Sequence, residues 1–216
     1  MNLIAAYRNA GFEALADGVM AFFDRRPDLQ RPGVAFGPAG EGNGAPGSAP
    51  EPAKVSTDIS LVAIDRSDPE AFALAEVILR GVGAGLGQYL RERPLLRDCS
   101  PQRNLFVNPI FNLQRYAPGE GFKRWHCDWT LSEEATEPHA RVLAWILYCN
   151  SLPDGGTEFH WQGHHEEAER GKLLIFPAGV SHIHRGRVSQ SHTKTIATGW
   201  INAGSREGYL RRLAQG

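Results

Sequence analysis

Cysteine is scarce in this chain, and its copies are scattered. Cys99, Cys127 and Cys149 are the only three, and no CxxC pair occurs. An odd, dispersed set supports neither a disulfide framework nor a thiolate zinc site, so a reducing, cytoplasmic setting is expected. Long apolar runs are missing as well: none approaches the ~18 residues needed to span a membrane. Arg8, Glu13 and Asp17 interrupt the first stretch, which therefore lacks the apolar core of a signal peptide. Charge of one sign is also absent. A net charge of −1 over 216 residues advertises neither a membrane nor a nucleic-acid surface, and neither partner is expected.

What is present suits one ordinary domain. Hydrophobic residues make up 42% of the chain, enough for a core without covalent staples. Ile4, Ala5, Tyr7, Phe12, Leu15, Val19, Phe22 and Phe23 recur at roughly helical spacing, which predicts a helix over residues 3–25. Residues 37–53 are Gly/Pro-rich and of low complexity, as in a flexible loop. Ser67, Asp68, Pro69 and Glu70 form a capping box ahead of a second helix running to Leu90. Gly81, Gly83, Gly85 and Gly87 weaken its second half.

From Leu105 the pattern becomes strands. They are expected over 111–116, 125–130, 142–148, 157–162, 172–176, 181–188 and 193–202, with turns at Pro118–Gly121 and Pro153–Gly156. The unbroken apolar run 142–148 reads as a strand covered on both faces. The expected fold is mainly β with N-terminal helices, a sandwich or jelly roll. Residues 1–104 would form the helical support, 105–204 the β core and 205–216 a tail.

His126 and Asp128 lie two apart, so in an extended strand they share a face and could grip one ion. A second imidazole downstream would complete a two-histidine, one-carboxylate set, which suits non-haem iron and leaves coordination positions open. His182 and His184 share strand parity, and either could supply it. Cys127, between the first two ligands, should face the other way. His160, His164 and His165 read as a polar hairpin tip, and His139 and His192 as solvated. Trp125, Trp129, Trp145, Trp161 and Trp200 read as core or rim aromatics.

Several motifs then arrive in order. They are Tyr116 ten residues before His126, His126-Cys-Asp128, Tyr148-Cys-Asn150, Gly155-Gly156, Phe176-Pro-Ala178, His184-Arg-Gly186, Lys194 and Thr198-Gly-Trp200. From about Asn108 to Ile201 the chain thereby resembles the Fe(II)- and 2-oxoglutarate-dependent oxygenases, in their prolyl-4-hydroxylase-like branch. The resemblance implies a double-stranded β-helix, a cupin-like jelly roll. It implies Fe(II) held by His126, Asp128 and His184. It implies 2-oxoglutarate held at its far carboxylate by Lys194, with Tyr116, Tyr148 and Thr198 as hydrogen-bonding partners and Trp200 as a wall. Dioxygen is the further co-substrate, and ascorbate the accessory reductant of such enzymes.

The implied reaction hydroxylates a prolyl-like, peptide or small-molecule substrate. It is coupled to oxidative decarboxylation of 2-oxoglutarate to succinate and carbon dioxide. Two other readings stand beside it. One is a non-catalytic jelly roll that binds a metal or small acid. The other is a metal hydrolase with Glu120 or Glu158 as general base. Neither the substrate nor the oligomeric state is written in these motifs.

Overall fold

In the computed structural model, the residues described are 2–35, 52–99, 104–129 and 141–213. Their elements, in order, are β1 (Ala5–Arg8), α1 (Ala10–Arg25), β2 (Arg31–Pro32), β3 (Lys54–Val55), β4 (Thr57–Val62), α2 (Pro69–Arg91), α3 (Pro94–Cys99) and β5 (Leu105–Val107). There follow β6 (Ile110–Tyr116), β7 (Gly121–Phe122), β8 (Arg141–Tyr148), β9 (Thr157–Phe159), β10 (His164–Glu166) and β11 (Lys172–Pro177). The last are β12 (His184–Gly186), β13 (Lys194–Ala203) and α4 (Arg206–Leu213). The Gly/Pro-rich stretch, apart from its last two residues, and His139 lie outside the described residues.

The strands make two facing sheets and a separate two-stranded ribbon, β3-β7. The larger is antiparallel in the order β1-β11-β8-β13-β6-β4-β2, with β5 also on β13, and the smaller is β10-β9-β12. Strand β8 shows why two layers form. Its residues alternate between two buried clusters: Leu143, Trp145 and Leu147 pack in one, Ala144, Ile146 and Tyr148 in the other. The first cluster also takes Phe12, Leu15, Val19, Phe22 and Phe23 of α1 and Ile78, Val82 and Tyr89 of α2. The second takes Phe159 and Phe176 and lies between the sheets. Helices therefore cover one face of the large sheet, and the small sheet covers the other. This is the double-stranded β-helix with N-terminal helices.

The helix ends follow local chemistry. The Asn9 carboxamide oxygen accepts from Phe12 N at 2.9 Å and starts α1. Asp68 caps α2, accepting from the backbone amides of Glu70 and Ala71, and Pro69 takes the first helical position. The α2 glycines have a packing role that spacing alone hides. A Cβ on Gly81 would overlap Leu15 Cδ1, and one on Gly85 would overlap Leu173 Cδ2. Gly85 thus lets the helix press against the large sheet, and Gly81 lets it press against α1.

Four expectations need correction. The first helix begins at Ala10, not residue 3, because Ala5–Arg8 pairs with β11 and alternates buried with exposed residues. The first hundred residues are not only helical: β4 adds six residues to the large sheet, with Ile59 and Leu61 buried. The strand expected over 125–130 is reduced to a single bridge, His126 to His184. The strand expected over 181–188 opens with a 3-10 turn, Val180–His182, so His182 and His184 do not share strand parity.

Candidate metal and co-substrate site

His126 and His184 are joined backbone to backbone. His126 N donates to His184 O at 3.0 Å, and His184 N donates to His126 O at 2.9 Å. Asp128 N donates to Ala178 O at 2.9 Å, which ties the same stretch to the end of β11. These tethers bring one potential ligand atom each from His126, Asp128 and His184 within 4.8 Å of one another. No other group of this kind occurs among the described residues.

The donor set is prepared for a cation. Nδ1 of His126 donates to the Arg124 carbonyl at 2.9 Å, and Nδ1 of His184 donates to the His182 carbonyl at 3.0 Å. With Nδ1 carrying the proton, each ring keeps a bare Nε2. Burial, followed by the neighbouring His184, pushes His126 down to about 4, so it is neutral at physiological pH. Oδ2 of Asp128 is buried without a hydrogen-bond partner and sits 3.6 Å from His184 Nε2. A buried orphan carboxylate oxygen is costly unless a cation faces it. Two unprotonated nitrogens and one orphan oxygen fit a divalent ion.

His182 is not part of this set. Its ring is buried and its Nδ1 lies 3.0 Å from Ser181 Oγ; its carbonyl is what orients His184. Phe122 of β7 stacks on the His126 ring, centroids 3.7 Å apart, and fixes its plane. Phe176 meets His184 edge-on at 4.8 Å. Sequence reasoning missed Phe122, because nothing in its spacing separates a ring-stacking residue from an ordinary apolar one.

Beyond the imidazoles lies Lys194, the first residue of β13, only 4% exposed. Its Nζ donates to the Arg187 carbonyl at 2.9 Å and lies 4.9 Å from the centre of the Tyr116 ring. Burial pushes this amine down to about 8, partly opposed by Asp154. No carboxylate forms an ion pair with it among the described residues. A buried ammonium in that condition fits an incoming carboxylate.

The other expected contacts are distributed unevenly. Tyr148 Oη and Thr157 Oγ1 are 2.7 Å apart, both buried. Thr198 donates its hydroxyl to the Trp145 carbonyl at 2.9 Å, so toward any other group its oxygen can only accept. Trp200 lies beneath the Arg141 guanidinium at 3.6 Å. Tyr116 donates to Gln114 Oε1 at 2.6 Å, a partner that no motif spacing signals.

The two candidate general bases are engaged elsewhere. Glu158 pairs with Arg185 at 2.8 Å and with Arg187 at 3.5 Å, and Glu120 accepts from Ala117 N within its own turn. Neither is set up to activate a metal-bound water. The hairpin histidines behave as a polar tip. His164 contacts Glu166 at 3.2 Å, His165 contacts the Gly155 carbonyl at 3.0 Å, and His160 lies edge-on to Trp125 and Trp161. His192 is exposed.

Comparison with known proteins agrees with this geometry. Residues 111–202 match the model of the 2OG-Fe(II) oxygenase superfamily. Among curated protein sequences none matches this chain. Three solved structures share the fold over nearly the whole chain. A viral collagen prolyl hydroxylase from Paramecium bursaria Chlorella virus-1, in a 2OG complex, is 14% identical with a TM-score of 0.61, covering 94% of this chain and 97% of its own. A Pseudomonas putida prolyl-4-hydroxylase is 17% identical with a TM-score of 0.60, covering 95% of each. A Trichoplax adhaerens prolyl hydroxylase, in complex with a hypoxia inducible factor peptide fragment, is 11% identical with a TM-score of 0.59, covering 94% and 84%. Residues 111–202 thus carry a 2OG-Fe(II) oxygenase domain with the fold of the prolyl hydroxylases, and the match, together with the His126–Asp128–His184 group, supports a 2-oxoglutarate-dependent dioxygenase that uses Fe(II).

Proposed function

We propose that this enzyme hydroxylates a prolyl-like residue in a peptide, or a comparable small molecule, while 2-oxoglutarate is converted to succinate and carbon dioxide. The observation that carries the proposal is the pairing of two sites. Bare imidazole nitrogens and the orphan Asp128 oxygen form a metal face, and the buried Lys194 ammonium stands as a separate anion site. A dicarboxylate with a 2-oxo group has two ends, and the two sites suit one end each.

In this reading His126, Asp128 and His184 hold the iron and leave coordination positions free. The bound metal supplies oxygen activation. Lys194 neutralises the far carboxylate, and its burial keeps competing water away. Tyr148, fully buried on the same side of β8, contributes wall and hydroxyl. Trp200 and the Arg141 guanidinium above it form a flat surface at one border of this face, where a substrate ring or peptide plane can lie. Peptide recognition is supported by the Trichoplax neighbour, a prolyl hydroxylase in complex with a peptide fragment. A cytoplasmic setting is supported by three free cysteines, one of them exposed. No helix of the described residues is long and apolar enough to cross a membrane.

The test is succinate formation from 2-oxoglutarate with Fe(II), scored with a panel of prolyl peptides and free amino acids. The proposal expects turnover that one panel member stimulates, and that His184→Ala abolishes. Iron-loaded protein that makes no succinate with any member would contradict it.

A further inference from the structure

Tyr116 faces Lys194 across the β6–β13 ladder, and its hydroxyl is committed. The committing group is Gln114, two residues back on the same face and 8% exposed. Gln114 in turn pairs across the β4–β6 ladder with Asp58. The Gln114 amide nitrogen donates to Asp58 Oδ2 at 3.5 Å. Asp58 also accepts from Ser56 Oγ at 2.7 Å and is ion-paired with the buried Lys54. The chain of contacts thus runs Lys54, Asp58, Gln114, Tyr116, Lys194, and only its last two members carry a motif of the site.

The order of donors and acceptors along this chain is forced. A carboxylate that already accepts from Lys54 and Ser56 offers Gln114 only lone pairs, so Gln114 must present its nitrogen there. Its oxygen then points at Tyr116 and accepts the phenol proton. Tyr116 has no second proton, so its oxygen cannot donate to a co-substrate carboxylate while this bond stands. What Tyr116 still presents is its ring, with the Lys194 ammonium over the face. Burial and the nearby Asp58 both push the Tyr116 phenol up, consistent with a hydroxyl that keeps its proton.

We propose that Asp58 and Gln114 are positioning residues for 2-oxoglutarate: they capture the Tyr116 hydroxyl and so hold the ring that carries Lys194. The proposal rests on the reading of Lys194 as the contact for the far carboxylate. It differs from a direct hydrogen bond from Tyr116 to the co-substrate, and the two make opposite predictions. Gln114→Met and Tyr116→Phe each remove the same hydrogen bond, so if that bond positions the ring their effects on 2-oxoglutarate binding do not add, whereas a direct Tyr116 contact is indifferent to Gln114→Met.

The experiment is calorimetric titration of 2-oxoglutarate into Mn(II)-loaded protein, with thermal unfolding alongside. Gln114→Met and Tyr116→Phe should each weaken the 2-oxoglutarate dissociation constant about three- to tenfold, with metal affinity unchanged. The double variant should be no weaker than either single, because all three lack the same bond. A Gln114→Met variant that binds 2-oxoglutarate as wild type does while Tyr116→Phe is weakened would overturn the proposal in favour of a direct Tyr116 contact. Single variants that lower the unfolding temperature but leave 2-oxoglutarate binding intact would overturn it as merely structural. Lys194→Ala separates the two levels. If it leaves 2-oxoglutarate binding unchanged, the co-substrate reading itself falls, and this proposal with it. If it weakens binding while Gln114→Met leaves it unchanged, only the positioning role falls. Should Gln114→Met not fold, Asp58→Asn replaces it: freeing the amide to turn should weaken 2-oxoglutarate binding in the same range, and an unchanged constant would overturn the proposal.

Discussion

The Lys194 ammonium sits 4.9 Å above the centre of the Tyr116 ring, with the Arg187 carbonyl as its hydrogen-bond acceptor. A cation held this deep by a ring and one carbonyl is compensated by less than a full counter-charge. Its lowered pKa expresses that shortfall. Binding a carboxylate there relieves it.

This relationship predicts a pH limb. In the 2-oxoglutarate-free protein Lys194 is charged below about 8 and loses its proton as pH rises through that value. The charged form binds the carboxylate, so KM for 2-oxoglutarate should rise steadily between pH 8 and 9.5. Once bound, the carboxylate raises the lysine's pKa, so kcat should not share the limb. Lys194→Ala should raise KM by roughly ten- to a hundredfold, the worth of one charge-assisted hydrogen bond, and flatten the profile. A wild-type KM that stays level across the range would contradict the assignment.

Gly186 gives a milder test of the same contact. A Cβ there would lie 3.3 Å from Lys194 Nζ and 3.7 Å from the Phe122 backbone. Gly186→Ala should push the amine aside and raise KM for 2-oxoglutarate severalfold, leaving the unfolding temperature nearly unchanged. Steady-state kinetics and a thermal melt together check it.

The α2 glycines separate packing from propensity. Gly85→Ala places a methyl where Leu173, fully buried, already sits. Such overpacking should cost about 1–3 kcal/mol. Gly83→Ala meets nothing within 4 Å and should instead stabilise by up to about 1 kcal/mol through helix propensity. Denaturant unfolding of the two variants should move in opposite directions.

Part of the site was legible from short spacing, although the strand expected around His126 and Asp128 is reduced to a single bridge. His126, Asp128 and Lys194 could be placed from spacing and resemblance, and the two-faced burial of β8 from its unbroken apolar run. Other features had no such spacing. His182 sits in a 3-10 turn, where parity arguments do not apply. Strand β1 merged with α1 because Ile4 and Tyr7 happen to fall in helical phase with Phe12 and Leu15. Strand β4 does alternate, with Ile59 and Leu61 inward, and that signal was available but masked by the loop-like composition before it. The glycines of α2 read as weakness, although two of them mark close approach. Asp58 and Gln114 meet across strands far apart in the chain, and local pattern carries no trace of such a pair.

The central claim is that His126, Asp128 and His184 hold one iron and leave it open to 2-oxoglutarate. It is tested most directly by adding Fe(II) and then 2-oxoglutarate to the protein without oxygen and recording the visible spectrum. The account predicts one equivalent of iron and a weak charge-transfer band that appears only with 2-oxoglutarate, persists in His182→Ala and is absent in Asp128→Ala. No band in the wild type, or an equal band in Asp128→Ala, would contradict it.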